Sequence, residues 1–264
     1  MERIFRGSTS IRIKRSSASR VSRTARWRSA CGLALAVLVM VAVFAWMYRR
    51  TMANRLLLTE PTQILQDPVL LQRAVDLGRP LYQTHCAACH GAALQGNPGR
   101  GVPNLVRGAW LYGADPVDVE HTILYGIRSG HPKSRNVTDM PALVRSGQIT
   151  ADDAGDVVEF LKSLTGVPYD PQRALRGRAV YFTKGNCFDC HASDAQGSVD
   201  YGTPGLTGPI WLYGGDRQTL YRSVVNGRHG MCPAWVNQLT ALQIRALALY
   251  LVSASHATAA RARN

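Results

Sequence analysis

The pentapeptide Cys86-Ala87-Ala88-Cys89-His90 returns 101 residues later as Cys187-Phe188-Asp189-Cys190-His191, and the residues after it keep the same offset. Pro103-Asn104-Leu105 maps onto Pro204-Gly205-Leu206, Trp110-Leu111-Tyr112-Gly113 onto Trp211-Leu212-Tyr213-Gly214, Asp115 onto Asp216 and Gly126 onto Gly227. A repeat of this length means one structural unit used twice. Upstream, Gly78-Arg79-Pro80-Leu81-Tyr82 corresponds to Gly177-Arg178-Ala179-Val180-Tyr181. Downstream, Met140-Pro141-Ala142 corresponds to Cys232-Pro233-Ala234. Each copy closes on a helical pattern, Asp152 to Leu164 and Thr240 to Val252, with no alternating strand pattern between.

In Cys-x-x-Cys-His the thiols lie about one helical turn apart, matching the two vinyl groups on a haem edge, and the next residue sets an imidazole beneath the iron. The spacing predicts two covalently bound haems c, one on Cys86 and Cys89 with His90 as axial ligand, the other on Cys187 and Cys190 with His191. A zinc site would draw four ligands from closer pairs, and a structural disulfide leaves both histidines unexplained. Pro103 and Pro204 are placed as carbonyl acceptors for the second ring nitrogen of each histidine.

A sixth, thioether ligand raises a haem's potential. Met140, ahead of Pro141 on a loop, is expected to fill that position in the first repeat. In the second, alignment puts Cys232 at the place of Met140 and Met231 one residue earlier. A shift of the loop at Gly230 favours Met231 as ligand, with Cys232 the alternative and His229 third. Trp110, Tyr112, Trp211 and Tyr213 are expected as haem walls. His85, His121, His131 and His256 read as surface residues.

The 264 residues carry 31 Lys and Arg against 17 Asp and Glu. Of these, residues 1–50 hold 11 basic residues and one acid, leaving 20 against 16 in the rest. The basic excess therefore belongs to a tail, and the folded part does not have the charge of a nucleic-acid binder. Cys31 to Tyr48 is a run of 18 residues without a charge, about 27 Å long as a helix and close to the hydrocarbon thickness of a bilayer. Arginines are denser before it than after, which places the tail in the cytoplasm and the rest outside. A cleaved signal peptide is the alternative.

The expected fold is all-α: a basic cytoplasmic tail (1–30), a transmembrane anchor (31–48), a linker (49–72), cytochrome c domains at 73–166 and 172–255, and a flexible tail (256–264). Gly166-Val167-Pro168 marks the boundary between the domains.

Over residues 75 to 255 the chain resembles the CcoP/FixP family, the membrane-anchored dihaem cytochrome c subunit of cbb3-type cytochrome c oxidases. The resemblance rests on the Trp-Leu-Tyr-Gly segments, on Gly126-Ile127-Arg128-Ser129 leading to Met140-Pro141-Ala142, and on Gly227-Arg228-His229-Gly230 leading to Pro233-Ala234-Trp235. In the second repeat Cys232 stands directly before proline, where the family has Met. The resemblance implies an electron-transfer subunit of a bacterial inner-membrane respiratory oxidase, not itself a catalyst. Its haem domains would lie in the periplasm, its partners being the other membrane subunits and a soluble donor cytochrome. A cytochrome subunit of a periplasmic dehydrogenase and a dihaem peroxidase are the alternatives.

Overall fold

The computed structural model describes residues 18–107, 110–137, 139–208 and 210–261. The basic tail lies outside them as far as residue 17. The described residues form ten α-helices and one 3₁₀ turn, and their β pairing is confined to isolated bridges. They divide into two units, Met1–Thr51 and Met52–Asn264.

Helix α1, Ala18–Leu58, contains the expected anchor but exceeds it at both ends. It includes residues 18–30 of the expected tail and does not stop at Arg49-Arg50. Arginine is a good helix former, and no proline occurs before Pro61. The stretch Ala30–Leu58 is long and apolar enough to cross a membrane, and Leu33, Leu38, Phe44 and Trp46 on it are exposed.

The second unit begins with the end of α1 and continues through α2 (Pro61–Ile64), α3 (Pro68–His85) and α4 (Ala87–His90). Then come α5 (Pro116–Tyr125), α6 (Ala151–Ser163), α7 (Pro171–Phe182), α8 (Phe188–His191), α9 (Arg217–Asn226) and α10 (Ala241–Arg261). Side-chain caps fix the helix starts, as short polar residues before an apolar run should. Asp67, Asp115, Asp170 and Asp216 accept from backbone N–H groups in the first turns of α3, α5, α7 and α9. Thr150 and Asp153 form a reciprocal capping box on α6, and Thr240 and Gln243 form one on α10. Helix α10 runs through most of the tail expected to be flexible, because Ala254, Ala257, Ala259 and Ala260 favour continuation.

The two sequence repeats do not pack separately. Helix α10, which closes the second repeat, packs on α3 and α5 of the first, while α6, which closes the first, packs on α7 and α9 of the second. Glycines set both crossings. A Cβ on Gly78 of α3 would lie 2.3 Å from the Ala246 carbonyl oxygen, and one on Gly177 of α7 would lie 1.9 Å from that of Asp156. The backbones can meet only where a side chain is missing.

The resulting inner core is formed by a continuous stretch of chain. Leu143, Val157, Phe160, Leu161, Tyr181 and Val224 are buried in it, with Met140 packed against them. The outer core is discontinuous, joining Tyr82, Leu94, Leu105 and Val119 to Leu239, Leu247, Leu251 and Val252. The cytochrome c domains expected at 73–166 and 172–255 thus exchange their closing helices, giving an inner and an outer core. The physical reason is the short connection from Ser163 to Pro171, which folds α6 and α7 against each other as sequence neighbours.

Ion pairs fasten the inner body. Asp156, its side chain 8% exposed, receives Arg173 at 2.7 Å and Arg176 at 2.6 Å, and Glu159 receives Arg217 at 2.7 Å. Hydrogen bonding from Arg176 holds Asp156 below the usual carboxylate range, and Arg217 does the same for Glu159. A carboxylate with a depressed folded pKa stabilises above its ordinary value and loses that contribution as pH falls through the folded one.

Two outcomes follow for unfolding by denaturant. Gly177→Ala should destabilise by about 1–3 kcal/mol through overpacking, whereas Gly99→Ala, where the nearest atom is 3.4 Å away, should stay within about 0.5 kcal/mol. Asp156→Asn should lower the midpoint at pH 7 and flatten the loss of stability below the ordinary carboxylate range. An unchanged acid limb would remove Asp156 from that account.

Candidate haem sites

Each Cys-x-x-Cys-His motif occupies a single helical turn. The His90 amide donates to the Cys86 carbonyl at 2.9 Å and the His191 amide to that of Cys187 at 2.9 Å, so both thiols and the imidazole leave one turn together. The following loops match as well. Gly96 N–H donates to the His90 carbonyl and Gly197 N–H to that of His191, at 2.9 and 3.0 Å. Tyr82 Oη donates to the Gly91 carbonyl at 2.5 Å, and Tyr181 Oη to that of Ala192 at 2.7 Å. Ala192 holds a φ of 65°, a conformation that its counterpart Gly91 reaches without strain.

Both motifs open into one cavity of about 810 Å³. Cys86, Cys89 and His90 line it together with Cys187, Cys190 and His191, and the remaining wall is largely apolar, including Trp110, Tyr112, Trp211 and Tyr213. The aromatic walls are exchanged as the helices are. A Cβ on Gly202 would strike the Tyr112 ring and one on Gly101 the Tyr213 ring, so each tyrosine lies on the loop of the other repeat.

The residues fit a haem c. His191 Nδ1 lies 3.0 Å from the Pro204 carbonyl oxygen, which fixes the proton there and leaves Nε2 for a metal. His90 Nδ1 is buried and makes no hydrogen bond, although the Pro103 carbonyl still acts on it. Burial lowers the pKa of both imidazoles, with the proline carbonyls opposing, so each ring is held neutral with a lone pair to donate. Burial also pushes the Cys86 thiol up to about 12 and that of Cys187 to about 11. No group of three or more His, Cys, Asp or Glu side chains converges as a metal-ion cluster among the described residues.

The candidate sixth ligands are also exchanged. Met140 packs with Cys187, Leu206 and Tyr181 around the second motif, not around the first, where it was expected. Its segment pairs with the other repeat: Met140 N–H donates to the Arg228 carbonyl at 3.2 Å and Arg228 N–H to that of Met140 at 3.0 Å. The reciprocal pair joins Ile127 and Cys232, with both bonds at 2.9 Å. Met231, expected to reach the second iron, is 69% exposed at the edge of the cavity, which Cys232 also borders. Burial pushes the Cys232 thiol up to about 11.

Repeat comparison alone did not reveal Gly126 and Gly227 as pairing positions. A Cβ on either would collide with the Cys232 or Met140 carbonyl oxygen, and their φ values are 73° and 70°. Nor did it reveal Arg128 and Arg228, which border the cavity. Arg128 pairs with Asp139 at 3.2 Å, and Arg228 stacks over Tyr213 at 4.1 Å. His121, read as a surface residue, has a buried Nδ1 without a hydrogen-bond partner and packs edge-on against Tyr125.

A family model described as cytochrome c matches residues 75–165, and one described as cytochrome c oxidase, cbb3-type, subunit III matches residues 172–251. Among curated relatives, the cbb3-type cytochrome c oxidase subunit CcoP of Cereibacter sphaeroides is 36% identical over 201 residues, covering 76% of this chain and 68% of its own. That of Rhodobacter capsulatus is 36% identical over 221 residues, covering 81% and 73%. The chain belongs to the CcoP/FixP family. The subunit FixP of a Bradyrhizobium strain is 38% identical over 190 residues, covering 72% of this chain and 64% of its own. The chain thus spans about two thirds of the length of these CcoP and FixP proteins. Two cytochrome c domains imply haem c binding, and the shared cavity shows where this CcoP/FixP chain would accommodate it.

The exchange makes a prediction that the linear repeats do not. Leu247 lies on α10 in the second repeat yet is fully buried in the core beside the first motif. Leu247→Ala should cost about 2–5 kcal/mol and shift the NMR signals of the haem on Cys86 and Cys89 more than those of the other. The reverse order of shifts would refute the packing.

Proposed function

We propose that the chain is the dihaem electron-transfer subunit of a cbb3-type cytochrome c oxidase, anchored in the bacterial inner membrane by α1 with both motifs in the periplasm. The observation that carries this reading is the single cavity lined by both Cys-x-x-Cys-His motifs. Two haems in one chamber would stand close enough for electrons to pass directly between them. Family membership and the subunit names of the relatives supply the oxidase, and the density of arginines before α1 supplies the orientation.

The haem supplies reversible one-electron chemistry of iron. The chain's own residues bind and tune it. Cys86 and Cys89, and Cys187 and Cys190, would each add a thiol across a vinyl group, forming thioether bonds that prevent loss of the haem. His90 and His191 would donate Nε2 to the irons, with Pro103 and Pro204 as carbonyl acceptors orienting the rings. Met140 would supply a thioether to the haem of His191, the motif it packs beside. The apolar walls exclude water, which reduces the reorganisation accompanying each change of charge. Partners in this reading are the other membrane subunits of the oxidase and a soluble cytochrome donor.

Denatured protein should retain haem stain and weigh two haems more than the bare chain, and Cys86→Ser with Cys89→Ser should remove one of them. Haem released by acidified solvent would contradict covalent attachment. The anchored protein, taken from membranes in mild detergent, should bring the oxygen-reducing subunit with it, and a reporter fused after Asn264 should be active only in the periplasm. Purification without that subunit would overturn the oxidase assignment, and cytoplasmic reporter activity the topology.

A further inference from the structure

The two crossing segments that exchange between the repeats are equivalent at the backbone and different at the side chain. Gly126 and Gly227 each end a helix, α5 or α9, with positive φ, and the next residue pairs with the other repeat through two amide hydrogen bonds. On one side that partner is Met140, on the other Cys232. Met140 packs against the core that also carries Cys187 of the second motif. By the same approximate two-fold relation Cys232 faces the motif of His90: it is paired with Ile127 just beyond α5 of the first repeat and borders the cavity that Cys86, Cys89 and His90 line.

The segment is also held against slipping. Cys232 is bonded through both its N–H and its C=O, and the Gly230 carbonyl accepts from Arg128 Nε. Met231 lies between two fixed residues, at the edge of the same cavity, and is 69% exposed, whereas Cys232 is the residue held by the pairing. His229 is paired with Asp139 at 2.9 Å and is itself exposed.

We propose that Cys232 is the sixth ligand of the haem carried by Cys86, Cys89 and His90, so that the chain holds one His–Cys haem and one His–Met haem. The proposal rests on the reading that two haems are bound. In the oxidised protein the Cys232 S–H bond breaks, the sulfur pair binds ferric iron and the proton passes to solvent, with no change in oxidation state. A thiolate donates more charge to iron than a thioether and stabilises the ferric form. The His90 haem would thus have the lower potential of the two.

Electron paramagnetic resonance and potentiometric titration of the full-length holoprotein in detergent test this, after the haem count has been fixed by mass. The oxidised wild type should show one low-spin signal of thiolate type beside one of Met type, and reduction should occur in two separated waves. Cys232→Ala should abolish the thiolate-type signal. Cys232→Met should move the lower wave up toward the other and add a second near-infrared sulfur-to-iron band. Met140→Ala should remove the existing band and leave the thiolate signal, while Met231→Ala should change neither. A wild type without a thiolate-type signal overturns the proposal even if the variants do not accumulate. So does a Cys232→Ala protein with both signals intact, or a Met231→Ala protein that loses one. A mass short of two haems would instead overturn the reading beneath it.

Discussion

Four backbone hydrogen bonds, two between Ile127 and Cys232 and two between Met140 and Arg228, hold together what would otherwise be two cytochrome repeats in series. They run between main-chain atoms and so depend on conformation more than on side-chain identity. This is why Gly126 and Gly227 are demanded on one side, while the other tolerates methionine in one repeat and cysteine in the other. Once these segments cross, each closing helix is delivered to the opposite repeat, where Gly78 and Gly177 admit the helix backbones at close range. The aromatic rings of Tyr112 and Tyr213 cross with them, and the two motifs come to share one cavity.

Much of this was legible in the sequence because it is local. The Cys-x-x-Cys-His turns and the two closing helices depend on neighbouring residues; helices formed over both closing patterns, α10 running on beyond its own to Arg261. The exchange is a different kind of fact. Two copies of one unit offer the same contacts whether a closing helix returns to its own repeat or to the other, so residue patterns cannot separate the two arrangements. Only the connections differ. The stretch from Gly166 to Pro171, read as a domain boundary and lying between the two family matches, also favours packing of α6 on α7, the first contact of the exchanged form.

The same degeneracy governs the sixth-ligand residues. Met140, expected as the sixth ligand of the first haem from its place along the chain, lines the cavity and packs against the core that carries Cys187. For Cys232 the alignment pointed to the residue that borders the cavity, and chemical preference for a thioether argued for its neighbour Met231. Both residues border the cavity, and the backbone pairing fixes Cys232 itself.

The nesting of the two cores also orders events in time. All the described residues of the inner core, from Met140 to Val225, are present before α10 has been made. The outer core takes Tyr82 and Leu94 from early in the chain and waits for Leu247 to Val252 near its end. A polypeptide emerging from its N-terminus can therefore close the body around its second motif first, while the first motif, although made earlier, stays open until the last helix arrives. The first motif is thus the last to be sealed, and Cys86 and Cys89 stay open to reaction for longest.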